Sequence, residues 1–587
     1  MQAAADGFVV RARSILVDLR AAESADLAAL IFVAKRAALL SELTVTDVHD
    51  HRSWTSNDRI GRLFERIVVA NWRTLARAKV PDSSFRREIA AASAQCPNLR
   101  EWTSRFGSYV EAVARNCTAL ERLRLWTDTS DELSQFRCYA SLTDLDFHAT
   151  PSAITHLSAF ASITALRCTL SSEQPLDLDA FSATVAPLGL LRSLHLVRVV
   201  IDDEPGLRGK ICGTLRVPSL RILTQGVLCG LDTDFPAARV ACPALEEWAS
   251  EDGSIALALP VVRVAPRLRS IVCGGTSAAA TVGACFGMMR ESFPMRNVER
   301  LAMPRTVLSA KALEYIGAFL TKLTHIEFRI ADHAALASFC LAVAGRMVEL
   351  RVHSKDSGGF SSPRHPDVVM ATLRTLDISD MLPREAAFLQ LPALTTLYAA
   401  GGRHTRELLG RCPRLEHCSI VDTRGSWCPA ATDPSEARVE CPLVTQLFVG
   451  AYYMPIAEIE HLLAVFPGVS WLSVYRPCSD ECALDRATGR DAEVCEHRFD
   501  DDDDDENSPY RLTDGCREQI LRRATRLMPH LRELFVGAHK NMLSNHGTHV
   551  SVSRLRELGL AESMPQYRDE LEGSTALQIH DRRHPWD

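Results

Sequence analysis

One short phrase recurs along the 587 residues and constrains the fold more than any other feature. Cys96-Pro97-Asn98-Leu99-Arg100-Glu101-Trp102 returns as Cys242-Pro243-Ala244-Leu245-Glu246-Glu247-Trp248. It returns again as Cys412-Pro413-Arg414-Leu415-Glu416-His417-Cys418 and as Met528-Pro529-His530-Leu531-Arg532-Glu533-Leu534. With the first Leu as anchor, the phrase falls at Leu99, Leu120, Leu142, Ile163, Leu191, Leu220, Leu245, Leu268, Val298, Leu323, Met347, Leu373, Leu394, Leu415, Val444, Val469, Leu531 and Leu555. All spacings but one lie between 21 and 30 residues. The residues three before and three after the anchor are apolar or Cys in all 18 repeats. A period this short means units that stack, because none can bury its apolar face alone.

Each repeat has a readable local structure. Positions +3 and +5 after the anchor, such as Leu123 and Leu125 or Leu376 and Ile378, alternate with outward positions +2, +4 and +6. That period of two predicts a short half-buried strand. Before the anchor, Ser309–Leu323, Asp332–Met347, Ala457–Phe466 and Asp514–Met528 carry apolar residues at three- and four-residue steps, which predicts helices. Pro stands at position −2 in nine repeats, where it ends the helix and turns the chain toward the strand.

The Cys-Pro-x-Leu-x-x-Leu phrase resembles the leucine-rich repeat family, in its cysteine-containing, ribonuclease-inhibitor-like class, as found in F-box substrate receptors. The resemblance covers residues 96–565. It implies an α/β solenoid, a horseshoe with a parallel sheet on the concave face and helices on the convex face. Eighteen strands would give a sheet path of about 80–90 Å. The Asn usual after the strand phrase is mostly missing, so its side-chain ladder should be irregular.

Two regions fall outside the array. Residues 1–95 read as a helical N-terminal part, with helices over Ala21–Glu42 and Asn57–Lys79. The end of the second, Trp72-Arg73-Thr74-Leu75-Ala76, is similar to the end of an F-box. The region is therefore either a cap on the first repeat or a degenerate F-box that docks a ubiquitin-ligase adaptor. Repeats occupy 96–475. An acidic, Cys-containing insertion follows at 476–515, and the last repeats and C-terminal tail fill 516–587. Cys478, Cys482, Cys495 and His497 in the insertion form a possible tetrahedral zinc set, against the plainer reading of reduced thiols in a loop.

Charge and cysteine content narrow the function. There are 66 basic and 73 acidic residues, and seven of the acids are consecutive, from Asp500 to Glu506. The remainder balances at 66 against 66, which argues against a nucleic-acid partner. The run itself should be a solvated loop. An acidic segment beside leucine-rich repeats also resembles the Ran-type GTPase activators, although here it interrupts the array. Of the 18 cysteines, five occupy position −3, a small apolar slot. No signal peptide and no run of 18 apolar residues are found, so the expected setting is intracellular, cytoplasmic or nuclear, without a membrane partner. Phosphate-loop, nucleophile-elbow and zinc-protease motifs are missing, which points away from an enzyme and from any cofactor.

A scaffold that binds a protein on its concave face is the leading expectation. An F-box-like substrate receptor of a ubiquitin ligase and a GTPase-activating protein are the alternatives. Register puts Arg124, Trp126, Asp146, Arg329, Arg351, Tyr398, Phe448, Trp471, Tyr475 and Phe535 at the outward positions where a partner would bind.

Overall fold

The computed structural model describes residues 14–18, 40–46, 66–79, 94–104, 110–125, 141–149, 154–171, 177–199, 213–228, 240–251, 261–262, 264–275, 297–354, 367–381, 386–401, 403–421, 439–450, 462–475, 524–537 and 547–551. The chain divides into two compact units, Met1–Ile271 with Arg568–Asp587, and Val272–Tyr567.

In the first unit ten strands pair in parallel, each with the next in sequence. They are Ser14–Asp18, Glu42–Thr46, Arg77–Lys79, Glu101–Ser104, Arg122–Leu125, Asp144–Ala149, Ala165–Ser171, Ser193–Val199, Ile222–Leu228 and Glu247–Ser250. Arg269 and Ser270 then donate their N–H groups to Glu246 O, at the start of Ser270–Cys273. In the second unit the parallel ladder runs through Arg300–Leu308, His325–Ile330, Glu349–Ser354, Thr375–Ile378, Thr396–Ala400, His417–Val421, Gln446–Gly450, Trp471–Tyr475 and Glu533–Gly537. Every anchor from Leu99 to Leu531 leads into one of these strands. Leu555 lies outside the described residues.

The spacing of apolar residues explains the burial. The anchors Leu99, Leu120, Leu142, Leu245, Leu323, Leu394 and Val469 are fully buried. So are the +3 residues Trp102, Leu123, Leu145, Ile271, Leu376 and Leu472 of these and other repeats. Cys96, Cys117 and Cys242 fill the −3 slot without exposure. All nine described cysteines are buried, and none forms a disulfide. Two of the thiols reach the preceding repeat, Cys117 Sγ to Ala94 O at 3.7 Å and Cys242 Sγ to Leu215 O at 3.8 Å.

Position −2 has a more specific role than ending a helix. The anchor N–H donates to the −3 carbonyl in repeat after repeat, for example Leu99 to Cys96 at 3.2 Å and Leu415 to Cys412 at 3.2 Å. This is a four-residue turn, and Pro at −2 occupies its second position, which suits a fixed φ and a missing N–H. The turns of successive repeats also touch. A Cβ on Gly468 would collide with Pro442 O, so only glycine fits there.

Two of the four expected helices are described where the periodicity placed them in the second unit, while Ala457–Phe466 and Asp514–Met528 lie half or more outside the described residues. Ala310–Phe319 is capped by the Ser309 hydroxyl, which accepts from Ala312 N–H at 3.3 Å. His333–Val343 is capped by the Asp332 carboxylate, which accepts from Ala334 N–H at 2.9 Å. Phe339 meets Phe328 of the strand edge-on, with centroids 5.8 Å apart, and Gly317 lets the two helices approach at Ala342.

The helical N-terminal part needs correction. Its described residues hold three strands of the parallel ladder, and the helix expected over Asn57–Lys79 is described only from Arg66 to Ala70. Leu40 and Leu75 are fully buried, each two residues before its strand begins, so they act as anchors whose phrase has decayed. Buried Asn71 links them, accepting from Leu40 N–H at 2.9 Å and donating to Ile67 O at 2.7 Å. At the other end, Gly547–Ser551 pairs antiparallel with Glu533–Gly537, which covers that strand's edge.

Gly468→Ala should lower stability by about 1–3 kcal/mol, because the added methyl must push two backbone turns apart. The urea midpoint checks this, with Gly345→Ala, which meets open space, as the control.

Candidate binding face

Positions +3 and +5 point into the core, so +2 and +4 turn to the opposite face and align from strand to strand. In the first unit the +2 column reads Glu42, Arg77, Glu101, Arg122, Asp144. Opposite charges alternate at the strand spacing and pair along the column. Arg77 lies 3.8 Å from Glu42 and 3.9 Å from Glu101, and Arg122 lies 3.8 Å from Glu101. In the +4 column Asp146 stands between Arg124 at 4.0 Å and Arg167 at 3.9 Å. Burial raises the Asp144 and Asp146 carboxyls despite these arginines.

Farther along, His195 Nε2 approaches Glu251 Oε1 at 3.3 Å. Burial, and then Arg167, push the His195 imidazole down to about 4. It is neutral at pH 7, and the contact is not an ion pair.

The second unit carries the best-built polar node. His353 directs Nδ1 to Asp380 Oδ2 at 2.9 Å and Nε2 to Glu327 Oε1 at 3.3 Å. A neutral imidazole has only one N–H, so engaging two carboxylates requires the imidazolium. Hydrogen bonds to Asp380 and Glu327 raise it to about 9, and the same contact with His353 lowers Glu327. Beside it Arg351 Nε donates to Glu349 Oε1 at 2.6 Å. Arg329 Nε donates to Pro304 O at 3.0 Å, a carbonyl within the register shift between Met303 and Val307.

The expected partner residues can now be placed. Arg124, Arg329 and Arg351 lie on the strand face, each engaged with a neighbour. Asp146 was expected at an outward position and is 9% exposed, closed in by its two arginines. Tyr398 is half-buried, and burial pushes its hydroxyl up to about 12. Trp471 is half-buried. Phe448, expected to be exposed, is only 5% exposed. Tyr475 and Phe535 lie on their strands opposite Gly450 and Ser473, and their side chains are outside the description. Trp126, the Cys478, Cys482, Cys495 and His497 set and the acidic run lie outside the described residues. Among the described residues no cluster of three ligands could hold a metal ion, and no helix is long and apolar enough to cross a membrane.

Sequence reasoning missed two things. Asp380 follows its strand, so the columns did not predict its bond to His353. Gln446 Oε1 and Ser473 Oγ are buried without a hydrogen-bond partner, which no periodicity announces. On the helical side, Trp72 is exposed in the turn before Arg77–Lys79, with the Arg73 guanidinium 4.9 Å from its ring centre, rather than sealing a separate helical module.

The His353 node gives a pH test. Its folded value of about 9 lies above the ordinary 6.5, so the stabilisation is complete below 6.5 and is lost as pH rises through 9. His353→Gln should cost up to about 3 kcal/mol at about pH 6, and the difference should close toward about pH 10. Urea unfolding of both chains across that range measures it.

Solved structures of similar fold include an internalin from Listeria monocytogenes, at 11% identity, covering 64% of this chain and 91% of that one, with a TM-score of 0.25. The mouse RP105/MD-1 complex is 12% identical, covers 82% of this chain and 73% of that one, and gives a TM-score of 0.36. The TLR13–ssRNA13 complex is 10% identical over 77% of each chain, with a TM-score of 0.32. No protein-family model and no curated protein matches the sequence. By its own buried columns and parallel ladders, the chain has the fold of a leucine-rich-repeat protein in both units.

Proposed function

We propose that the chain is a non-catalytic scaffold that binds a protein partner through its strand face, the concave face in solenoids of this class. The observation that carries this reading is the separation of the two faces. One set of columns is wholly committed to the core. The other holds charged and aromatic side chains at fixed spacing on a hydrogen-bonded backbone, an arrangement suited to recognition.

The state of the titratable groups supports binding rather than catalysis. His353 is held by two carboxylates, and buried His195 is neutral. Burial pushes Cys96, Cys117 and Cys412 up to about 12, leaving almost no thiolate nucleophile. Thiols outside any disulfide also support an intracellular setting, and their place at −3 supports the cysteine-containing repeat class.

Affinity capture from cell lysate, read by mass spectrometry, tests the reading. A partner recovered by the intact chain should fall at least about five-fold with the pair Arg351→Ala and Trp471→Ala. The pair Lys311→Ala and Glu314→Ala, exposed on a helix, should leave it unchanged. Equal recovery by a folded strand-face variant would reject the proposal.

A further inference from the structure

The helix His333–Val343 of the second unit carries no Asp, Glu, Lys or Arg. On its inner side Leu336, Phe339, Cys340 and Val343 are buried. On its outer side Ala334, Ser338, Leu341 and Ala342 are exposed, as is Gly345 in the turn that follows. Leu341 is 66% exposed. Both flanks extend this apolar surface. On one side Gly317 brings Ala310–Phe319 against Ala342, and Phe319 is 42% exposed. On the other the helix lies against the short strand Val368–Val369, and Val369 is 55% exposed. A surface helix turns charged residues to water, whereas one that is apolar all round is normally covered. Three consecutive repeats here each leave one large apolar side chain in solvent.

The charges at the two ends of this helix indicate the cover. Asp332 precedes it, and its carboxylate accepts Ala334 N–H at 2.9 Å. Arg346 follows it, and its guanidinium donates to Ala342 O at 3.2 Å and Gly317 O at 2.6 Å. Among the described residues neither side chain meets an opposite charge.

We propose that this face binds a second copy of itself, helix against antiparallel helix about a two-fold axis. From Asp332 to Arg346 is ~21 Å along the helix at about 1.5 Å per residue, and the midpoint is Phe339. Turned end for end about that midpoint, each copy places its Asp332 opposite the other's Arg346. One symmetry operation thus pairs all four charges. A two-fold contact requires a surface complementary to itself, and this one is apolar at the centre and opposite in charge at its ends. Antiparallel helix dipoles add to the attraction. An acidic or a basic partner would suit one end and oppose the other. Ala334, Ser338, Ala342 and Gly345 let two backbones approach, while Leu341, Phe319 and Val369 supply apolar area.

The inference is independent of the strand-face reading. Phe339 packs on Phe328, a core position of His325–Ile330, so the helix lies on the buried side of that strand. Pairing there leaves the outward columns of this unit open in both copies.

Sedimentation equilibrium of the full-length chain tests the proposal. The chain should dimerise with a dissociation constant below about 10 µM. Leu341→Asp, verified as folded by circular dichroism, should weaken the dimer at least about 30-fold, because each dimer then buries two unpaired carboxylates. Asp332→Asn keeps a good helix cap and removes the charge, and should weaken it about three-fold or more. Leu443→Asp changes another leucine, 53% exposed, in a turn away from this helix, and should leave the dimer unchanged. A monomer at about 100 µM would overturn the proposal and leave the face to a different protein. A dimer undiminished by Leu341→Asp or by Asp332→Asn would overturn it too. Equal loss in Leu443→Asp would assign association to general surface apolarity, and the helix pairing would fall.

Discussion

Everything in this structure hangs on one junction between repeats. The residue after the anchor presents a carbonyl that accepts two N–H groups from the next repeat. Ser41 O accepts from Ala76 and Arg77, Glu121 O from Thr143 and Asp144, Thr324 O from Val348 and Glu349, and Ser470 O from Arg532 and Glu533. Where that residue is Thr or Ser, its hydroxyl often donates to the same carbonyl, as Thr143 and Thr324 do at 3.2 Å and Ser470 at 3.1 Å. The junction sets the register of the whole ladder. Backbone and hydroxyl donors together satisfy these carbonyls.

Once register is set, the outward face follows. Side chains at equal positions are carried to within a strand spacing of each other, so alternation of sign along a column becomes alternation in space. In the first unit that yields mutual neutralisation of arginines and carboxylates. In the second unit the His353 imidazolium bonds across columns instead, to Glu327 on the preceding strand and to Asp380 beyond the end of the following one. Many charges on this face are therefore already engaged with their neighbours, and a charged partner would have to displace them.

Much of this was legible in the residues. Columns at −3, 0 and +3 specified the core, and Leu99, Leu245 and Leu394 lie where the phrase put them. The N-terminal repeats were not legible, because Leu40-Ser41-Glu42-Leu43 and Leu75-Ala76-Arg77-Ala78 keep the anchor spacing but lose the Cys-Pro turn. Runs of Ala, Leu and Arg around them favour helix by propensity alone. Pairing with neighbouring strands overrides that preference, since tertiary contacts outweigh intrinsic tendencies of less than about 1 kcal/mol per residue.

The sequence by itself determined the repeat, its period, the inward columns and the identity of the outward ones, because each depends on neighbours within a few residues. Only the tertiary structure decided which outward side chains are available. Phe448 and Trp471 occupy outward positions alike, yet Phe448 is buried and Trp471 is half-exposed. Asp146 is closed in by arginines more than 20 residues away in the chain. Exposure and protonation are set by contacts between repeats, and those contacts exist only once the repeats have stacked.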